Sequence, residues 1–179
     1  MRYNTIDKQL YIENRKNFTK HLKPGSLAVF TSNDILPTNA DGAMGFRQNA
    51  DLLYLTGIDQ EDTMLILFPD VKDGKHKEVL FIKETSELIA IWEGAKLNKA
   101  EATSVSGIDH IYWIQDFDKI MKPFILQVNN IYLNECKCNT FPRIIKYSIF
   151  IIEIIKFTRH CYMRQRIAIE SHKSNASDR

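Results

Sequence analysis

Side chains with the capacity for chemistry are concentrated in the segment Thr38–Gly57. Within it, Arg47 lies between Asp41 and Asp51, so that one guanidinium and two carboxylates share a loop and the start of the next element. An arginine beside carboxylates can hold a loop in one geometry through bidentate hydrogen bonds. We therefore expect Arg47 to form a buried structural brace with these acids, in preference to a contact with substrate.

A second cluster, Trp92-Glu93-Gly94, follows an apolar run at a point where the chain is expected to turn. Exposed tryptophan is enriched at interfaces because it offers a large apolar surface at a low cost in conformational entropy. A core position for Trp92 is equally compatible with the residues alone. Trp113 lies within a strand pattern and is predicted to be a core residue.

Motifs of the common catalytic classes are missing from the sequence. It has no G-x-x-x-x-G-K-[ST] phosphate loop, no G-x-G-x-x-G, no H-E-x-x-H and no G-x-S-x-G. No metal-ligand spacing joins any of the five histidines to another histidine or a carboxylate. A small hydrolase that uses Asp41, Asp51 and a histidine is therefore disfavoured, because nothing places a histidine near those acids.

The overall composition is that of an ordinary globular chain. The 179 residues are 44% hydrophobic and 26% charged, with a formal net charge of +2, which argues against wholesale disorder and gives no reason to expect a nucleic-acid partner. One domain, or one and a fraction, is expected at about 100–200 residues per domain.

Location and redox state follow from other parts of the sequence. The polar N-terminus lacks an apolar stretch typical of a secretory signal, so we expect a cytoplasmic protein. The apolar segment Ile144–Phe157 is shorter than the roughly 20 residues that span a bilayer and contains charged residues, so no membrane partner is expected. Cys136, Cys138 and Cys161 lack the spacing of a zinc site and are predicted to be buried or free cytosolic thiols.

The elements that must position these clusters alternate between helix and strand. Continuous apolar runs predict buried strands, and Lys72-Asp73-Gly74-Lys75 predicts the turn of a hairpin. Capping residues such as Asn98, and glycines such as Gly107, mark helix ends. The expected helices are 5–22, 84–90, 99–105 and 116–127, and the expected strands are 27–30, 63–68, 78–82, 110–113 and 131–133. The alternation indicates an α/β domain with a mixed β-sheet flanked by helices.

The two clusters together resemble a known family. Asp41, Phe46-Arg47-Gln48-Asn49-Ala50-Asp51 and Tyr54-Leu55-Thr56-Gly57 are similar to the D…FRQ-x-x-D-x-x-Y-L-T-G signature of the N-terminal domain of Xaa-Pro aminopeptidases. Trp92-Glu93-Gly94 follows in the order of the family's W-x-G motif. The resemblance covers residues 5–135. It implies the fold of the creatinase and aminopeptidase P N-terminal domains, which is ribonuclease H-like.

The resemblance also implies an activity for the parent enzyme. Family members are metallopeptidases that remove an N-terminal residue preceding proline. Their dinuclear site, usually manganese, lies in a C-terminal catalytic domain for which residues 136–179 leave no room. The sequence thus resembles the N-terminal domain alone, a fragment of a longer protein, with no catalytic residue, cofactor or metal site of its own. Residues 136–179 are a divergent end of the same domain or a tail.

Site roles follow from the same resemblance. Trp92 matches the tryptophan that lines the active site of a neighbouring subunit, where an aromatic wall would hold a proline-containing peptide and exclude water. The implied partners are the C-terminal catalytic domain of the same chain and neighbouring subunits. The remaining signature residues are expected to be structural or interface positions, namely Asp41, Phe46, Arg47, Gln48, Asp51, Tyr54, Gly57 and Gly94. An alternative is a stand-alone peptide- or protein-binding module with the same fold.

Overall fold

The computed structural model describes residues 6–39, 42–134 and 153–157. In this part of the chain five α-helices and six β-strands follow one another in the mixed α/β order that the sequence predicts. The helices are α1 Lys8–Thr19, α2 Ala50–Thr56, α3 Glu87–Glu93, α4 Lys99–Ser106 and α5 Phe117–Ile125. The strands are β1 Ser26–Thr31, β2 Met64–Leu67, β3 Glu78–Ile82, β4 Ile111–Trp113, β5 Asn130–Asn134 and β6 Glu153–Phe157.

The strands of the described residues form one mixed sheet in the order β4-β3-β2-β1-β5-β6. Strands β1, β2 and β3 are antiparallel neighbours, and the predicted hairpin is the β2–β3 pair, in which Met64 lies opposite Phe81. The pairs β1–β5, β3–β4 and β5–β6 are parallel. The expected α/β class with a mixed sheet is confirmed.

Helices cover both faces of the sheet, which explains why its central strands are continuous apolar runs. On one face, α5 contributes Phe117, Met121 and Phe124 to a cluster with alternate strand residues such as Val29 and Ile66. On the other face, the strand residues between these pack against α1, α2 and α4. Because successive side chains of a strand point to opposite faces, each central strand serves both clusters.

Local capping decides where the helices begin and end. Asp7 is the N-cap of α1, because its carboxylate accepts a hydrogen bond from the backbone N–H of Gln9, so the helix begins at Lys8 and not at the predicted residue 5. Asn98 and Glu101 form a reciprocal capping box on α4, and Gly107 in the left-handed conformation ends that helix, as predicted.

Helix α3 departs from the sequence expectation. The predicted helix 84–90 was to break at the Trp-Glu-Gly motif, whereas α3 begins after Ser86 and continues through Trp92 and Glu93. The Ser86 hydroxyl accepts a hydrogen bond from the N–H of Ile89, and Gly94 with φ 83° ends the helix. The start and the end of the helix are therefore displaced together, toward the tryptophan.

The apolar segment Ile144–Phe157 is described only at its end. Glu153–Phe157 is strand β6, paired with β5, and the rest of that segment lies outside the described residues, as do Thr5, Asp41 and the three cysteines. No helix in the described ranges has the length and apolarity required to cross a membrane.

Candidate functional site

The loop that carries the signature is pinned to the protein by Gln48. Its amide Nε2 donates to the backbone carbonyls of Ile58 at 3.0 Å and Gln60 at 2.7 Å. Its Oε1 accepts from the N–H of Asn49 at 2.8 Å. Two of these three hydrogen bonds join the segment before α2 to the segment after it, so the half-buried Gln48 closes a loop around this short helix.

Helix α2 forms because both of its ends are capped. The side chain of Asn49 accepts from the N–H groups of Asp51 and Leu52, and Gly57 ends the helix in the left-handed conformation at φ 72°. A Cβ at Gly57 would overlap the ring of Tyr11, so this glycine serves both the backbone turn and the contact with α1.

Arg47 does not form the expected brace. Its side chain is exposed, and no ion pair joins it to a carboxylate within the described residues. Asp51 is half-buried in the first turn of α2 and has an interaction of its own, and Asp41 lies outside the described residues. The prediction of a buried Arg47–Asp51 pair is therefore wrong, because the signature loop carries Arg47 at the surface.

Arg47 instead lines an open groove of about 560 Å³ together with Phe46 and four other residues: Asp34, Leu36, Met44 and Gly45. Leu36 and Met44 expose 59% and 57% of their surface, large fractions for apolar side chains. Apolar area combined with one acidic and one basic side chain is typical of a surface that contacts another molecule.

Among the described residues, the buried arginine is Arg15, on α1. It is completely buried, and its Nε donates to Glu78 Oε2 at 2.8 Å at the start of β3. Its Nη1 donates to the carbonyl of Leu55 at 2.8 Å and to that of Ser106 at 2.9 Å, near the ends of α2 and α4. Burial lowers the pKa of Arg15, and the charge of Glu78 opposes that shift.

Arg15 thus joins three helices to the sheet, and sequence reasoning missed it. A signal was available in the spacing, because the buried positions of α1 are Tyr11, Asn14, Arg15 and Phe18, at helical intervals along one face. A basic residue on an otherwise inward-facing stripe must find an acceptor, and an interior arginine is the kind of side chain that can brace several elements.

The Trp92-Glu93-Gly94 motif lies at the C-terminal end of α3 and enters the turn that leads to α4. Leu88 and Ile91, on the same helix, each expose 73% of their surface. Lys83, just after β3, forms an ion pair with Glu93 at 2.5 Å. Because of that partner, the pKa of Lys83 is raised and the pKa of Glu93 is lowered from their ordinary values.

A hydrogen-bonded row on the hairpin is the other group of titratable side chains. His76 Nδ1 lies 3.0 Å from Asp73 Oδ2, and His76 Nε2 lies 3.1 Å from the hydroxyl of Tyr112. The pKa of Asp73 is lowered, first by the hydrogen bond from the backbone N–H of Lys75 and to a smaller extent by the charge and hydrogen bond of His76. The row links the β2–β3 connection to β4 and lies at the surface.

The described residues do not fit a manganese pair. Nowhere in ranges 6–39, 42–134 and 153–157 do three or more His, Cys, Asp or Glu side chains come together in a way that could hold a metal ion. A dinuclear site needs a set of convergent carboxylate and imidazole ligands, and this part of the chain does not offer one.

Comparison with known proteins identifies the family. The model of the family described as "Aminopeptidase P, N-terminal domain" matches residues 11–132, which is more than half of the chain. The chain belongs to this family. The resemblance noted in the signature and in the W-x-G motif is therefore confirmed, and the match runs from Tyr11, within α1, to Tyr132, within β5.

Relatives of this aminopeptidase P domain are Xaa-Pro aminopeptidases. The Escherichia coli K12 enzyme is 28% identical over 105 residues, which are 58% of this chain and 23% of that protein. Human Xaa-Pro aminopeptidase 3 is 26% identical over 105 residues, 58% of this chain and 19% of the human protein. The chain therefore spans about a fifth of the length of these curated relatives.

Solved structures agree with this assignment. The aminopeptidase PepP of Pseudomonas aeruginosa superposes with a TM-score of 0.72 at 26% identity, covering 80% of this chain and 32% of that one. Structures of Escherichia coli aminopeptidase P, at 22% identity and a TM-score of 0.71, support the fold alone. This chain matches the N-terminal part of these aminopeptidase P family proteins.

The structure of this aminopeptidase P domain separates the signature residues into two groups. Gln48 and Gly57 hold the fold together, whereas Arg47 and the half-exposed Tyr54 lie at the surface. Phe46 is half-buried beside the groove, and Gly94 ends the tryptophan-bearing helix with no atom within 4 Å of an added Cβ.

Proposed function

We propose that this chain acts as the non-catalytic N-terminal domain of a metal-dependent Xaa-Pro aminopeptidase. In this proposal the parent enzyme removes an N-terminal residue that precedes proline. A dinuclear manganese site in its C-terminal domain would supply the metal chemistry. The N-terminal domain would contribute contacts between subunits and one wall of the substrate pocket.

The observation that carries the proposal is the family match over residues 11–132, in a chain that spans only about a fifth of its relatives. The exposed face of α3 supports the interface role. Leu88 and Ile91 are three residues apart and therefore neighbours on one side of the helix that bears Trp92. Large exposed apolar side chains of this kind favour a surface that is covered by another domain or subunit.

Trp92 is the proposed wall residue. An indole offers a rigid apolar surface against which a proline ring can pack, and it would keep water away from the reacting peptide bond. Because the tryptophan would come from a neighbouring subunit, substrate affinity and oligomeric state should vary together.

The test uses the full-length parent enzyme and a Xaa-Pro peptide. Trp92→Ala should lower kcat/KM by about tenfold, which corresponds to roughly 1.4 kcal/mol of lost contact. The matched control is Leu126→Ala, which removes an 83%-exposed apolar side chain at the end of α5, away from the motif, and should leave kcat/KM unchanged. Unchanged kcat/KM in the Trp92 variant would remove it from the pocket.

A direct assay tests the non-catalytic role. The 179-residue chain, dialysed against manganese, should not turn over the same peptide. Appreciable turnover would place the chemistry in this chain and contradict the proposal.

A second candidate function is a stand-alone module that binds a peptide or a protein. The open groove beside Phe46 and Arg47 is the observation that favours it. Calorimetric titration of the isolated chain with a proline-containing peptide discriminates the two functions. Saturable binding that is lost in Met44→Asp favours the module, and no heat of binding favours the domain of a larger enzyme.

A further inference from the structure

The turn that carries Trp92 is held to the sheet by contacts on both sides of the motif. Residues 92–97 form this segment, here called the Trp92 turn. On its N-terminal side, Lys83 Nζ forms an ion pair with Glu93 Oε2 at 2.5 Å and lies 3.8 Å from Asp62 Oδ2. On its C-terminal side, Lys96 forms an ion pair with Glu61, and the side chains of that pair are only 16% and 10% exposed.

The anchors of the Trp92 turn are adjacent in the chain. Residues 60–62, here called the anchor segment, precede β2. Besides the contacts of Glu61 and Asp62, the side-chain Oε1 of Gln60 accepts a hydrogen bond from the N–H of Leu97 at 2.8 Å. Three consecutive residues therefore contact either the turn itself or the lysine that holds it.

The anchor segment also connects the signature to the C-terminal part of the Trp92 turn. Gln48 of the signature donates to the backbone carbonyl of Gln60 at 2.7 Å. A continuous chain of contacts thus runs from Gln48 through Gln60 to Leu97. The signature loop supports the segment against which the Trp92 turn is held.

Gly94 gives the chain a conformational freedom that these contacts restrict. Its φ of 83° and ψ of 164° break the helix directly after Glu93, and an added Cβ there would meet no atom within 4 Å. A residue with such conformational freedom and no packing around it leaves the direction of the chain to its neighbours. Lys83 and the anchor segment supply the restraint that the glycine lacks.

We infer that Lys83 is a positioning residue that fixes the backbone of the Trp92 turn through its ion pair with Glu93, and that the contribution of Trp92 to substrate binding depends on this restraint. This inference rests on the proposed function, since it assigns Trp92 to the substrate pocket. Lys83 suits the role because its side chain is only 26% exposed and reaches from the end of β3 toward Glu93 and Asp62 together. Its partner Glu93 is 47% exposed, so solvent screens the carboxylate and the pair has the strength of an ordinary surface ion pair.

The first test uses the 179-residue chain with Trp113→Phe, so that Trp92 is its only tryptophan. Lys83→Met should increase acrylamide quenching of Trp92 fluorescence and lower its anisotropy, whereas Lys83→Arg, which keeps the charge, should restore the parent values. Lys122→Met is the matched control, because Lys122 is exposed on α5, which packs on the face of the sheet opposite to the one that Leu97 contacts. Equal quenching in Lys83→Met and Lys122→Met would overturn the inference.

The second test measures kcat/KM of the full-length enzyme. Lys83→Met should lower it by about two- to fivefold, the factor that an ion pair of ordinary strength provides. Lys83→Met combined with Trp92→Ala should be no worse than Trp92→Ala alone, because both changes act through one side chain. Additive losses would overturn the inference.

The two tests separate failure of the inference from failure of the proposed function. If Trp92→Ala leaves kcat/KM unchanged, the pocket-wall function is refuted, and with it the assignment of Lys83 to substrate presentation. The fluorescence test then still decides whether Lys83 restrains the turn. If Trp92→Ala lowers kcat/KM but Lys83→Met changes neither readout, the pocket wall stands and the positioning role is refuted.

Discussion

Replacement of Arg15 by methionine is the sharpest test of how this fold is held together. Methionine keeps most of the aliphatic packing of the side chain but removes three charge-assisted hydrogen bonds, to Glu78, Leu55 and Ser106. A hydrogen bond to a charged group contributes about 1.5–3 kcal/mol, so the gross loss from three bonds is roughly 4–9 kcal/mol.

Two features of the structure reduce that figure. The side chain of Glu78 is 31% exposed, so water can solvate its carboxylate once Arg15 is removed. Arg15 Nη2 is buried without a hydrogen-bond partner, and its replacement relieves that cost. We therefore expect Arg15→Met to lower the free energy of unfolding by about 3–5 kcal/mol, the usual cost of breaking a buried pair.

The assay is thermal or urea unfolding of the 179-residue chain, followed by far-UV circular dichroism. A loss of 3–5 kcal/mol corresponds to a fall in Tm of about 10–20 °C for a domain of this size. Arg15→Lys keeps the charge but not the planar fork of donors, so it should lower the free energy of unfolding by less than Arg15→Met does. Arg47→Met is the matched control, and because Arg47 is exposed it should change stability by less than about 0.5 kcal/mol. A Tm for Arg15→Met within about 2 °C of the parent, or an equal fall for Arg47→Met, would refute the reasoning.

Three further predictions concern the signature and the Trp92 turn. Gly57→Ala should lower the free energy of unfolding by about 2–4 kcal/mol, because it combines a left-handed φ with overlap against the ring of Tyr11. Gly74→Ala is the control: an added Cβ there meets open space, so the same unfolding assay should show almost no change in stability. Gln48→Ala should lower the free energy of unfolding by about 1–3 kcal/mol and should raise the rate of amide hydrogen exchange around α2. Amide protection equal to that of the parent protein would contradict the role of Gln48 as a loop anchor. The ion pair with Lys83 lowers the pKa of Glu93. The restraint on the Trp92 turn should therefore be present at pH values above the ordinary glutamate pKa of about 4.3, and it should disappear as the pH falls through the lower pKa of the folded state. Acrylamide quenching of Trp92 that does not change over that pH range would argue against the pair.

The elements that sequence reasoning predicted well are those with a strong local signal. Strands β2 and β3 are unbroken apolar runs that flank an Asp-Gly turn, and α4 carries a capping asparagine and a terminal glycine. Helix α2 carried no such signal, because seven residues with several adjacent leucines are too few to distinguish a helix from a strand. Its helical state is decided by Asn49 and Gly57 at its two ends together with its contacts with α1.

The residues of the candidate site also fall into those that local sequence patterns predicted and those whose position depends on long-range contacts. The order of the signature and the W-x-G motif was sufficient to indicate the family, since that information is local and linear. Arg47 was expected to be the buried brace because it stands near acids in the chain. Arg15 fills that role instead, because its partners Leu55 and Ser106 are 40 and 91 residues away.

The sequence by itself determined the α/β class, the family and the positions of the two motifs, because each depends on residue types at short and regular spacing. Only the tertiary structure decided that Arg15 is buried and Arg47 exposed, and that residues 60–62 join the signature loop to the Trp92 turn. Burial and pairing depend on which distant segments the sheet brings together. Proximity in the chain says nothing about that, which is why Arg47 next to its acids lies at the surface and Arg15, far from Glu78 in the chain, lies 2.8 Å from it.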